Sequence, residues 1–286
     1  MLSQRTPTIA IIQARMSSSR LPGKVLLDIA GEPMLAWVLS RTRQARRVDQ
    51  VVVATTTEPS DDPIAEYCAR QAVPCYRGSL HDVLDRYYQA ARAFGADSII
   101  RITADCPLID PVVIDQTVQA FRGETDESIR ARELGIKGFA STLDTQTQAT
   151  PYDFVANRLP PPWGRTFPIG MDVEVCTFEA LETAWKEAGQ PHQREHVMPF
   201  FYDHPERFRM LLVDYKDDFG ALRWTVDTPQ DLQLVRQLVA HFPGRQDFSW
   251  LEVLQVFQSQ PDLAQINASV QHKDYRQVDE RRSDKK

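Results

Sequence analysis

Cysteine is scarce, with four in 286 residues, and Cys68, Cys75, Cys106 and Cys176 form no C-x-x-C pair and have no histidines at zinc-finger spacing. That pattern excludes a disulfide framework or structural zinc and leaves four reduced thiols in or near the core. Long apolar runs are also missing. None approaches the roughly 20 residues that span a bilayer, and the opening "MLSQRTPTIAII" is interrupted too early for a secretory signal, so the cytoplasm is expected and a membrane is not. There is no cationic excess: 33 Lys and Arg face 39 Asp and Glu, a net charge of -6, which argues against a nucleic-acid partner and requires any anion to be bound locally. Neither G-x-G-x-x-G nor G-x-x-x-x-G-K-[ST] occurs, which removes the dinucleotide fingerprint and the P-loop. No internal repeat is present.

What remains, 42% hydrophobic and 25% charged, can bury a large core. Short β-branched runs alternate with amphipathic stretches through the first half. "TIAIIQA", "DQVVVAT", "VPCYRG" and "DSIIRITADC" read as strands, and "PMLAWVLSRTRQA", "DPIAEYCARQA" and "SLHDVLDRYYQAARAFG" as helices. This alternation predicts an α/β, doubly wound, mostly parallel sheet covered on both faces. Residues 124–148 turn polar and threonine-rich and read as an insertion outside the core. Further on, "MDVEVC", "RFRMLLVDY" and "LRWTVD" read as strands. "FEALETAWKEA", "REHVMPFFYDH" and "SWLEVLQVFQSQ" read as helices, as does "TPQDLQLVRQLVAHF", which opens on Thr228 as N-cap with Asp231 at its third position. A charged tail closes the chain.

In doubly wound sheets ligands bind beyond the carboxyl ends of the strands. The loop "ARMSSSRLPGK" leaves the first strand there, bringing backbone N–H groups, the hydroxyls of Ser17, Ser18 and Ser19, and the cations Arg15, Arg20 and Lys24. That is the chemistry of a polyphosphate site, and equally that of a solvated basic loop. "RITADCPLIDP" adds Asp105 at the end of an Ile-rich strand, where a carboxylate can hold Mg²⁺ or merely cap a turn before Pro107; Asp110 reads as the cap of the next helix. "RWTVDTP" brings Asp227 toward the same edge. Asp105 and Asp227 together read as a pair of metal ligands that converge in space.

"IIQARMSSSRLPGK", "YRGSLHDVLDRY", "RITADCPLIDP", "GMDVEVCTFEAL", "REHV" and "RWTVDTPQDL" resemble, in order and context, the cytidylyltransferases that activate acidic sugars. The resemblance is strongest to the spore-coat polysaccharide biosynthesis protein F branch, related to the CMP-sialic acid and CMP-KDO synthetases, and runs from about Thr8 to Asp231, with "LAQINASVQHK" as a further stretch. It implies a Rossmann-like, GT-A-like nucleotidyltransferase domain over residues 1–260, with a small dimerisation and acceptor subregion near 165–205 and a tail over 261–286. CTP, an acidic sugar-like acceptor, Mg²⁺ and a homodimer are implied as partners. The signature loop, Ala14 through Lys24 with Met16 inside it, would hold the phosphates. Asp105 and Asp227 would take the metal. Thr103 and Ala104 would border the nucleotide, and Arg77, Gly78 and Ser79 the base and ribose. Asp172, Glu174, Arg194, Glu195 and His196 are implied for the acceptor or the dimer contact. The apolar side of the helix carrying Phe178, Leu181 and Trp185 is read as part of that dimer face.

The chain departs from this pattern at Ser17, where relatives commonly have a glycine that adopts strained backbone freely. Two alternatives stay open on these residues. One is a nucleotide-sugar-dependent glycosyltransferase, although its Asp-x-Asp motif is replaced here by Asp105, Cys106 and Pro107. The other is a nucleotide-binding protein that has lost turnover.

Overall fold

Strand β1, Thr8–Gln13, is apolar on both sides, so it can be satisfied only by covering both faces of a sheet. In the computed structural model, which describes residues 7–124, 129–135, 151–271 and 276, Ala10 and Ile12 enter one core while Ile9 and Ile11 enter a second. The same alternation continues in β4, Gln50–Thr56, where Val51 and Val53 face the first core and Val52 and Ala54 the second. This is the two-faced burial of a doubly wound sheet.

Among the described residues, eight strands form the main sheet, in the order β5-β4-β1-β6-β11-β8-β12-β7. The remaining members are β5 (Cys75–Gly78), β6 (Ser98–Thr103), β7 (Ile129–Gly135), β8 (Phe154–Ala156), β11 (Glu174–Thr177) and β12 (Arg209–Tyr215). β5, β4, β1 and β6 are parallel neighbours, and β8 and β12 pair in parallel. β11 is antiparallel to β6 and β8, and β7 to β12. Two two-residue ladders complete the described strands: β2 (Asp28–Ile29) pairs with β3 (Glu32–Pro33), and β9 (Arg158–Leu159) with β10 (Gly164–Arg165).

On the first face lie α1 (Met34–Arg43), α2 (Asp62–Arg70), α4 (Pro111–Phe121), α8 (Pro229–Val239) and α9 (Trp250–Ser259). On the second lie α3 (Val83–Ala93), α5 (Phe178–Glu187), α6 (Pro191–His196) and α7 (Pro199–Asp203). The helix starts follow their caps: Asp110 accepts from Val112 N–H, Thr177 from Ala180 N–H, and Thr228 with Asp231 forms a capping box. None of the described helices is long and apolar enough to cross a membrane.

The structure corrects three readings. "LRWTVD" is no strand: Ile169 and Arg223 make an isolated bridge, and the segment bonds to loops instead. "REHVMPFFYDH" is two short helices, α6 and α7, broken at Val197, whose φ is 72°. Within 124–148, residues Ile129–Gly135 form edge strand β7, paired along all seven residues with β12, while 125–128 and 136–150 lie outside the described residues. The apolar side of α5, read as a dimer face, packs in part against α3. Leu181 is buried, and Trp185 and Phe178 stack on Tyr88 of α3 at centroid distances of 4.1 and 5.5 Å. Phe178 and Trp185 stay half-buried. Cys68, Cys106 and Cys176 are buried, Cys75 is half-buried, and all four are free thiols.

Candidate active site at the carboxyl edge of the sheet

The loop after β1 folds back on one peptide. Met16 C=O accepts from the N–H of Ser18 at 2.9 Å and of Gly23 at 2.8 Å, and Gly23, with φ 72°, turns the chain into a short 3-10 turn at Lys24–Leu26. Met16 N–H donates to Asp61 Oδ1 at 2.7 Å. Asp61 is fully buried and also accepts from the N–H and hydroxyl of Thr56 at the end of β4. It ties the loop to the neighbouring strand end. Asp61 precedes α2 and carries the outward signature of a cap, yet its carboxylate makes no cap bond and turns to the loop. The Met16 N–H, one of the loop's backbone donors, is thus already engaged within the protein.

Those side chains meet the two predicted carboxylates. Lys24 Nζ donates to Asp105 Oδ2, Asp227 Oδ1 and Val226 C=O, each at 2.8 Å. Arg20 reaches Asp227 Oδ2 at 2.9 Å, and Arg223 reaches the same oxygen at 2.8 Å. Asp105 and Asp227 therefore converge, as their places at the sheet edge predict. Their backbones are joined as well: Val226 N–H and the Thr225 hydroxyl both donate to Asp105 C=O, at 2.8 and 3.0 Å. Burial works against charge here and is overruled. It pulls the Lys24 pKa down, but Asp105 and Asp227 raise it overall, while Lys24 and Arg20 hold Asp227 well below the usual carboxylate range despite burial.

Asp227 has its own support. Asp231, wholly buried, accepts from Arg223 at 2.9 and 3.1 Å, from the N–H groups of Asp227 and Thr228, and from Asn267 Nδ2 at 2.9 Å. The sequence pattern marks neither Arg223 nor Asn267: Asn267 reaches Asp231 across 36 residues, and Arg223, though close in the chain to Asp227 and Asp231, sits in a segment that reads as a strand.

The remaining predicted residues divide. Thr103 Oγ1 lies 3.2 Å from Cys106 Sγ, and Ala104 N–H bonds to Gln13 C=O at 3.0 Å, so both sit where β6 and β1 end together. Cys106 is kept a neutral thiol by burial and then by the charges of Asp105 and Asp172. Arg77 is engaged with Thr56 C=O at 2.8 Å and Asp62 at 2.6 Å. Gly78 leaves room for Arg86, whose side chain a Cβ would meet at 3.1 Å, and Ser79 C=O accepts from that Arg86. Arg194 closes on Asp82, the N-cap of α3, and on Trp185 C=O at 2.6 Å, so it locks α6 to α3; Glu195 and His196 share that short helix. Glu174 is buried and paired with Arg101, which makes it an interior partner where an acceptor contact was expected. Asp172 is held by Arg165 at 2.6 Å and Arg158 at 3.5 Å. This arginine cluster was not read from the sequence, since "NRLPPPWGR" appears there only as a proline-rich loop.

A cation-rich loop closed over paired carboxylates, at the carboxyl edge of a doubly wound sheet, defines a protein built to handle nucleotide phosphates. The finer assignment comes from comparison. A family model described as Cytidylyltransferase matches residues 9–275, and the chain belongs to that family of nucleotidyltransferases. It is 28% identical over 260 residues to spore coat polysaccharide biosynthesis protein SpsF of Bacillus subtilis, covering 89% of this chain and 95% of that one. It is 31% identical over 246 residues to 3-deoxy-manno-octulosonate cytidylyltransferase of an Anaeromyxobacter species, covering 82% and 97%. Among solved structures, a cytidylyltransferase from Leptospira borgpetersenii superposes with a TM-score of 0.77 at 30% identity, covering 94% of this chain and 100% of that one.

Proposed function

We propose that this protein transfers CMP from CTP to an acidic sugar-like acceptor with release of pyrophosphate, as a cytoplasmic step in making a surface polysaccharide or related glycan. The observation that carries the reading is the meeting of Arg20 and Lys24 with Asp105 and Asp227 at one point. Family membership supports CTP, and the names of the relatives support a 3-deoxy-ulosonic acid or similar acid as acceptor.

The donor set fits Mg²⁺. Two carboxylates already gather around a cation, the Lys24 ammonium, and hard oxygen ligands from one or two carboxylates plus substrate phosphates are the usual Mg²⁺ environment. Asp105 and Asp227 would hold the ion, which when bound would neutralise charge on the phosphate oxygens. Arg20 and Lys24 bind and orient the triphosphate so that the acceptor oxygen meets the α-phosphorus in line with the departing pyrophosphate. Asp61 fixes the loop that carries them. Arg158 and Arg165, now shared by Asp172, offer planar donors suited to an acceptor carboxylate. No covalent nucleophile is required.

The test is a thermal-shift comparison of the four nucleoside triphosphates with Mg²⁺, followed by pyrophosphate release with a 3-deoxy-ulosonic acid. CTP is expected to give the largest shift, since a selective ligand at a hundred times its Kd stabilises the fold by about 2.7 kcal/mol. A preference for a purine triphosphate, or for an intact nucleotide sugar, contradicts the reading. Selective CTP binding without turnover on any acid acceptor would leave a binding protein.

A further inference from the structure

The two carboxylates assigned to a divalent cation already share a cation that the chain supplies. An ammonium has three donors, and those of Lys24 have three oxygens at 2.8 Å: Asp105 Oδ2, Asp227 Oδ1 and Val226 C=O. Lys24 is buried at 8% exposure, so water does not compete for these bonds. The other oxygen of Asp227 is held by Arg20 and Arg223. Counted together, Lys24, Arg20 and Arg223 balance Asp105, Asp227 and Asp231, three charges of each sign. A divalent cation approaching this cluster meets no net negative charge, and both Asp227 oxygens are engaged.

We propose that Lys24 gates the metal site: it and the divalent cation compete for Asp105 and Asp227, and the phosphates of an incoming nucleotide open the site by drawing the ammonium away. The inference rests on the reading of the loop as a phosphate site. Lys24 is suited to the exchange because its charge rides on a flexible four-carbon stem, and a triphosphate offers more acceptor oxygens than the two carboxylates do. Arg223, held from behind by Asp231, stays with Asp227 and keeps that carboxylate in place after Lys24 leaves. Metal and nucleotide then strengthen each other's binding, as linkage requires of two ligands that favour one arrangement. Without the gate, two bare carboxylates would take up metal in the absence of substrate.

The probe is Mn²⁺, with the free ion measured by electron paramagnetic resonance in the absence of nucleotide. Lys24→Met keeps most of the side-chain volume and removes the charge. It is expected to bind Mn²⁺ about tenfold or more tighter than the wild-type protein, the scale of one charge-assisted contact no longer displaced. The gain is expected to vanish in Lys24→Met combined with Asp105→Asn, which ties it to this site. Indistinguishable Mn²⁺ affinities in wild type and Lys24→Met overturn the gate. Should Lys24→Met not fold, the wild-type protein decides. Stabilisation by Mn²⁺ confined to CTP-saturated protein supports the gate, and equal stabilisation of nucleotide-free protein overturns it. Failure of CTP to bind in EDTA would instead sink the phosphate-loop reading, and the nucleotide-free Mn²⁺ comparison would still decide whether Lys24 excludes the metal.

Discussion

Asp231 is a single side chain with two duties that belong to different scales of the fold. It completes the capping box of α8, and the same carboxylate holds Arg223, Asn267 and the N–H of Asp227. Burial alone would raise its pKa, but the hydrogen bonds from Arg223 and Asn267 lower it below the ordinary value. The sign follows from linkage: a folded pKa depressed below the unfolded value of about 3.9 gives stability that is present above that pH and lost as the pH falls through the folded value. Asp231→Asn is therefore expected to cost about 1.5 to 3 kcal/mol at neutral pH, the scale of hydrogen bonds to a charged group. In urea unfolding the gap from the wild type should close below about pH 4. A gap that stays constant into acid would mean that shape rather than charge is what Asp231 contributes.

The segment 222–227 is an element with no regular name, and it delivers Asp227. Its β-rich composition, "LRWTVD", resembles a strand, but its backbone bonds go to Ile169 on one side and Asp105 on the other. Gly170 makes this approach possible. Its φ is 108°, and a Cβ there would lie 2.7 Å from Thr225 N and 2.8 Å from Trp224 C. Gly170→Ala is expected to destabilise the protein by about 1 to 3 kcal/mol and to lower nucleotidyl transfer more than that loss explains, because the displaced backbone carries Asp227. Normal turnover in a folded Gly170→Ala protein would separate the segment from the chemistry. The elements read correctly from sequence, such as β1, α3 and α8, are those whose own burial pattern repeats at the period of a strand or helix. β7 was not legible for the opposite reason. It is an edge strand whose Arg130, Arg132 and Glu133 are exposed, so neither composition nor alternation marks it.

At the scale of the whole molecule, the site is assembled from pieces far apart in sequence. Lys24 bonds Asp105 across 81 residues and Asp227 across 203, and no local pattern could reveal that one ammonium joins them. Strand-end logic did point to each participant separately, because a doubly wound sheet gathers the ends of its parallel strands at one edge. The buried network behind Asp227 lay beyond it, since Asn267 belongs to a stretch after the last strong helix signal, where the resemblance assigns no residue a role. That stretch is packed: Leu263 is buried, and Asn267 Nδ2 donates to Arg223 C=O at 3.0 Å and to Asp231 at 2.9 Å. Chains ending at residue 260 and at residue 270 separate the two views of it. The longer chain keeps Asn267 and is expected to match the full-length protein in CTP binding and turnover. The shorter chain keeps α9 and both cores apart from Leu263, so it is expected to fold with reduced stability, but to lose turnover by about tenfold as Arg223 and Asp227 lose their support from behind. Asn267→Ala in the full chain should reproduce most of that loss, because one amide rather than the length of the chain supports Arg223 and Asp231. If the chain ending at residue 260 turns over as fast as the full protein, Asp227 is held firmly enough by Arg223 and the α8 cap alone.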